Sequence, residues 1–426
     1  MRFFLLFTAM LMLTCTKPDS EPAVTVLQAD HPADAGSRYP FLHAAANGQL
    51  LMSWLQETAA GRFALMFSHL EREEWSEPSI IFEGDDFFDN WADFPSVTWS
   101  PAGYYAAHWL RKVEGGPFAY HVQISFSDDG RNWSAPVTPH LDRSPSEHGF
   151  VSMQPLPNGR VLVAWLDGRN TAAAFEGEAE PDGHVHHNGH SHGGAMTLRS
   201  AELSRDGSIS HKNEIDSRVC DCCPTALTFS GDTARVIYRN RSLDEVRDFY
   251  TASYSPESGI WTEPVPVHGD GWQIGGCPVN GAQLFVHDNS LTAAWFTAGQ
   301  NDARVMTATG SLNERHFGEP QRLSVGDALG RVNSAVSGSE AVLVWLEMPD
   351  DQPGIASVYF SRKTDGTGFS VARIISDLPV SSSRLSGFPQ LAAVPGEPGT
   401  YLLAWTRHEP SYGIEMRQLH FGTSSH

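Results

Sequence analysis

The chain has 426 residues, 41% of them hydrophobic and 19% charged, which is enough apolar content for a packed core and too much for global disorder. Its formal net charge of −21 speaks against nucleic acid as a partner, because phosphate binding needs a clustered basic face. An acidic, solubilising surface fits the same number.

The first residues form a targeting segment. Arg2 supplies a positive end, and Phe3 to Thr14 is one apolar run that ends at Cys15. The run is too short for a membrane span, which needs about 20 residues. It resembles a bacterial lipoprotein signal, with residues 1–15 removed up to a lipidated Cys15, residues 16–22 as a polar tether and 23–426 as a single domain. The expected location is the cell envelope, at the outer membrane or periplasmic face, with the membrane reached through the N-terminal lipid only; simple secretion with cleavage nearby is the alternative. Export implies an oxidising compartment, where thiols pair or hold metal.

From there the chain is one unit repeated seven times. Each unit carries an aromatic anchor near the end of an apolar run: Trp54, Trp109, Trp165, Tyr238, Trp295, Trp345 and Trp405. About 14 residues before each anchor a second element begins, at Arg38-Tyr39-Pro40, Asp93-Phe94-Pro95, Gly149-Phe150-Val151, Cys222-Cys223-Pro224, Gly276-Cys277-Pro278, Gly330-Arg331-Val332 and Gly387-Phe388-Pro389. Proline recurs there as the first residue of a strand, where a missing N–H is tolerated. A third strand follows each anchor, as at Arg62 to Leu70, Tyr120 to Ser127 and Ile414 to Phe421. A fourth opens on an aromatic and then Pro, as in Trp75-Ser76-Glu77-Pro78 and Trp261-Thr262-Glu263-Pro264. Four short strands per repeat predict an all-β, seven-bladed β-propeller, with six blades as the alternative. The seventh unit lacks its fourth strand, and Asp19 to Val26 mimics one. The N-terminal strand is therefore expected to close the ring and remove the open edge.

Ser127-Asp128-Asp129-Gly130-Arg131-Asn132-Trp133 looks like an Asp-box, a turn in which Asp caps the backbone and Trp packs between strands. With the repeats, it makes the mature chain resemble the sialidase superfamily of BNR-repeat propellers. The resemblance implies a glycoside hydrolase acting on an acidic glycan. Three arginines would grip the sugar carboxylate bidentately, with an Asp as acid/base and a Glu-activated Tyr as nucleophile. Carried onto this chain, the acid/base is Asp93, the Glu is Glu245, and the clamp is Arg38 and Arg331 with either Arg239 or Arg241, Arg384 being a further substrate-binding candidate. Gly387-Phe388-Pro389 stands where the Tyr would be, so Tyr412 is the substitute nucleophile.

Strand order places the loops from fourth to first strands, and from second to third, on one face, opposite the Asp-box turn. That face collects a second constellation: Cys220, Cys222, Cys223 and Cys277, with His148 on the preceding repeat. An insert adds His184, His186, His187, His190 and His192. Thiolates with imidazoles suit copper or zinc, so an exported metal-binding protein is the rival reading; disulfides would account for the cysteines alone. A third reading is a propeller that binds a glycan, small ligand or protein at its mouth without catalysis. Trp91 and Trp272 either stack sugars there or pack in the core.

Overall fold

The computed structural model describes residues 24–72, 74–171, 194–349, 354–364, 368–376, 378 and 380–422. The expected signal segment with Cys15, the tether, and His184, His186, His187, His190 and His192 lie outside the described residues.

The sheets number seven, as the repeat predicts, and each is an antiparallel meander. Blade 1 runs from its innermost strand Ser37–Ala44 through Leu50–Ala59 to Arg62–Glu71, and ends in two outer segments, Glu74–Trp75 and Ser79–Gly84. The split follows from Pro78: without an N–H it cannot continue a ladder. Blade 4 repeats the device, with Ile260–Trp261 and Val265–Pro266 on either side of Pro264. Blade 2 keeps three strands, Ser96–Ser100, Tyr104–Lys112 and Tyr120–Ser127, plus isolated bridges from Trp133 and Val137.

The innermost strands touch in sequence, and Gln390–Ala393 of blade 7 returns to Ser37–Ala44 of blade 1, so the ring is closed. Blade 7 takes its outermost strand from the N-terminus. Val24–Gln28 pairs antiparallel with Gly413–Phe421, with Val26 opposite Leu419.

The second strands are sandwiched between blades, which explains their unbroken apolar runs. All seven aromatic anchors are buried. Between blades 1 and 2, for example, Leu51, Leu65 and Phe67 pack on Val97, Ala107 and Trp109, each large side chain contributing about 1.5–3 kcal/mol. Three anchor indoles donate to buried carboxylates: Trp165 to Asp167, Trp295 to Asp270 and Trp345 to Glu347.

One detail differs from expectation. The recurrent prolines are not the first residues of their strands: Pro95 and Pro389 immediately precede them, and Pro224 and Pro278 lie earlier in the incoming loops. Pro40 sits inside its strand, at a bulge between Arg38 and Phe41. Equivalent bulges follow Gly149 and Gly330. Their central residues Tyr39, Phe150 and Arg331 hold φ near 53°, 51° and 54°, a left-handed conformation that side chains rarely adopt. The bulges bend the chain where it passes from mouth loop to channel wall.

At the hub is a cavity of about 290 Å³ lined by all seven innermost strands, among them His43, Thr98, Gln154, Leu227, Gln283, Asn333 and Gln390.

Candidate functional site

The cysteines come together as the repeat alignment requires. Cys220, Cys222 and Cys223 lie in the loop leading into blade 4, and their sulfurs all fall within 4.8 Å of one another. Cys277, from the loop leading into blade 5, meets Cys222 through its thiol. Cys220 and Cys223 are buried, and Cys222 and Cys277 partly so. The sulfurs of Cys220 and Cys223 lie 3.6 Å apart, well beyond a disulfide bond of roughly 2.05 Å. The four described cysteines are free thiols.

Cations surround this cluster. Arg247 donates from Nη1 to Cys220 Sγ at 3.2 Å and from Nη2 to Glu245 at 2.9 Å. Burial pushes the Cys220 and Cys222 thiols up. Burial opposes ionisation at Cys223 too, but hydrogen bonds from Cys220 and Cys222 and the charge of Arg239 outweigh it, and Cys223 stands well below the usual thiol range. Sulfurs gathered this closely, with Arg247 bonded to one of them, make a donor set suited to soft ions. Glu147 approaches from blade 3. Burial, then Asp221 and Cys277, push its carboxyl well up.

The clamp residues have other work. Arg38 is buried and pairs with Glu57 at 2.9 Å and Asp89 at 2.8 Å. Arg239 donates to the carbonyls of Arg247, Asn280 and Phe296, under the rings of Phe249 and Trp272. Trp272 is therefore core, 8% exposed. Arg241 forks Glu245 and reaches Asp221 at 3.1 Å. Arg331 donates to the carbonyls of Ser382, Ser383 and Gly387; burial first, then the charge of Arg384, pulls it down to about 10. Arg331 and Arg384 both lie over the Trp91 ring, at 5.2 and 5.9 Å, and Trp91 stacks on Phe388.

The three residues assigned to acid–base chemistry stand apart. Asp93 accepts from the Phe150 N–H at 2.7 Å and the Tyr120 hydroxyl at 3.1 Å. It lines the hub cavity, and burial lifts its carboxyl to about 7 against those two donors. Gly149 permits the approach, since a Cβ there would fall 2.0 Å from Asp93 Oδ2. Burial raises Glu245, but Arg241 and then Arg247 outweigh it and hold the carboxyl below its usual range. Tyr412 lies three blades away, with its ring 4.0 Å from the Arg38 guanidinium.

His148 joins a different group from the one expected. Its ring stacks on His140 at 4.0 Å and lies 4.8 Å from His121, all three buried. Asp142 and Asp167 approach its Nε2 at 3.0 and 3.7 Å. Burial first, then the neighbouring His148, pushes His121 down to about 4 and His140 down to about 3. No spacing pattern along the chain marks His121 and His140. They become visible only in the fold, where His121 near the start of the strand Tyr120–Ser127 and His140 in the loop leading into blade 3 both pack on His148.

No protein-family model matches this chain, and no curated protein matches it either. Solved structures do. The lectin BP39L from Burkholderia pseudomallei is similar at 14% identity, with 89% of this chain and 94% of that chain covered and a TM-score of 0.56. A protein of unknown function from Dyadobacter fermentans is similar at 12% identity, with 79% and 97% covered and a TM-score of 0.50. A NanB sialidase from Streptococcus pneumoniae aligns at 11% identity, with 95% and 71% covered and a TM-score of 0.44. At these identities the likeness is one of fold.

Proposed function

We propose that this propeller is an exported, lipid-anchored protein that holds a thiophilic metal ion, copper(I) or zinc, in the sulfur cluster at its mouth. The observation that carries the reading is the convergence of Cys220, Cys222 and Cys223 from one loop on Cys277 from the next. Four sulfurs from two blades form a donor set that soft and borderline ions prefer. Arg247 and Arg239 beside it favour thiolate over thiol. The carboxylate clamp has less support, because Arg38, Arg239, Arg241 and Arg331 already have carboxylate or carbonyl partners.

The test is metal analysis with free-thiol titration on the full chain, apo and after loading with copper(I) or zinc. One ion retained against a mild chelator, with the thiols protected, is the expected result. A quadruple Cys→Ser variant should lose that ion. Four thiols that react at the same rate with and without metal would overturn the reading.

A second reading rests on a separate observation: Arg331 and Arg384 flank the partly buried Trp91 ring. An aromatic face with cations beside it suits a sugar bearing a carboxylate, and the propeller fold is shared with a lectin. Hydrolysis of a sialyl reporter and binding to immobilised acidic glycans test it; neither signal from folded protein would end it.

A further inference from the structure

Apart from the sulfur cluster, the mouth face gathers a second set of donors. We propose that His121, His140 and His148, with the Asp142 carboxylate, form a separate site for a divalent zinc or copper ion.

Nδ1 of His140 lies 3.1 Å from the Asp142 carbonyl, and Nδ1 of His148 lies 3.1 Å from the Ser146 carbonyl and 3.3 Å from that of Tyr120. A carbonyl only accepts, so both Nδ1 atoms carry the proton. In the neutral rings Nε2 then presents a lone pair, and in both residues that nitrogen is buried without a hydrogen-bond partner. Nδ1 of His121 is likewise buried and unpartnered. Backbone carbonyls that fix the far nitrogen of a ring are the usual outer support of imidazole ligands.

Nε2 of His148 lies 3.0 Å from Oδ2 of Asp142, without hydrogen-bond geometry. A cation placed between them would take this nitrogen and the carboxylate together as ligands. Other charges leave this carboxylate to the site. Arg169 forks Asp167, with Arg199 at 3.9 Å, and Arg143 turns its guanidinium to the carbonyls of His140 and Asp142. Ser144 is the other partner of Asp142.

Geometry sets the cost. One ring nitrogen from each histidine lies within 4.8 Å of the others, whereas a tetrahedral zinc site needs roughly 3.3 Å between them. Binding must therefore unstack the rings, now 4.0 to 4.9 Å apart between centroids, with His140 and His148 swinging about their carbonyl-bound Nδ1 atoms. The donors are nitrogen and oxygen, so this site favours zinc(II) or copper(II) over the copper(I) that the sulfurs prefer.

The decisive experiment is a zinc soak of crystals of the full chain, read by anomalous scattering at the zinc edge. A peak bonded to all three imidazoles is expected; stacked rings with no peak between them would overturn the proposal. In solution, a full chain with the four cysteines as serine and the five insert histidines as glutamine should bind one equivalent of cobalt(II). The expected spectrum has visible ligand-field bands and no thiolate charge-transfer band. Adding His121→Gln should weaken binding at least about tenfold, with the metal-free melting temperature as the check on folding. Unchanged affinity in a folded variant counts against the site, and if the multiple variant does not fold the crystal soak decides. A wild-type chain that binds metal through sulfur and shows no peak here would leave the sulfur reading standing and remove this one.

Discussion

Asp93 shows how one residue's environment sets its chemistry. Its carboxyl is enclosed at the hub, and burial lifts it from 3.8 to about 7 despite donors from Phe150 and Tyr120. An acid raised on folding binds its proton more tightly in the native state. Its stabilisation is therefore complete below pH 3.8 and is lost as the pH rises through about 7. Asp93→Asn should flatten the pH dependence of stability between those limits, as read by denaturant midpoints at each pH; an unaltered slope would show that another group sets it. Much at this scale was legible in advance. Two look-alike cysteine loops predicted that Cys277 would meet the 220s, and it does. The arginines were read differently from the sequence, because four of them end on partners that no pattern announces: backbone carbonyls for Arg239 and Arg331, and carboxylates from neighbouring loops for Arg38 and Arg241. His121 and His140 escaped for the same reason, since their relation to His148 exists only across a blade boundary.

Among the elements, turns and strand ends carry the regularity. The Asp129 carboxylate accepts from the N–H groups of Arg131 and Asn132, both at 2.8 Å, and so closes the turn between the third strand of blade 2 and its outer edge. Gly130 sits beside it at φ near 70°, and a Cβ there would fall 2.6 Å from the Phe67 ring of blade 1. Gly130→Ala should therefore lower stability by at least about 1 kcal/mol, measurable by chemical denaturation; a neutral result would mean that Phe67 moves aside without loss. The aromatic anchors and the third strands were readable to within a residue or two, because strands buried on both faces leave continuous apolar runs. The outer strands were less so. Their prolines were visible, but the division of one strand into two short segments depends on how each flank finds the third strand again.

For the whole molecule, closure is the governing fact. Val24–Gln28 supplies the outer strand of blade 7, and Val24 and Val26 pack against the apolar cluster built on Leu403 and Leu419. A chain that starts after Gln28 should melt several degrees lower and self-associate with rising concentration, since the edge of Gly413–Phe421 would be bare. Thermal unfolding and light scattering would read both effects, and an unchanged melting temperature would deny the strand its role. The sequence predicted this closure from a single imitation of an outer strand, because a ring with one strand missing needs a donor from elsewhere in the chain. The exposed mouth chemistry was harder to rank, since cysteines, histidines and arginines share one face and only packing decides which of them meet.

Pairing the first described strand with the last also imposes a schedule on synthesis. Until Gly413–Phe421 has left the ribosome, Val24–Gln28 has no partner and the wheel stays unlocked. The final state must then wait for a contact that spans nearly the whole polypeptide, the kind that forms slowly. A nascent chain of this design keeps its ring open, and so accessible to proteases, until Gly413–Phe421 has emerged to pair with Val24–Gln28.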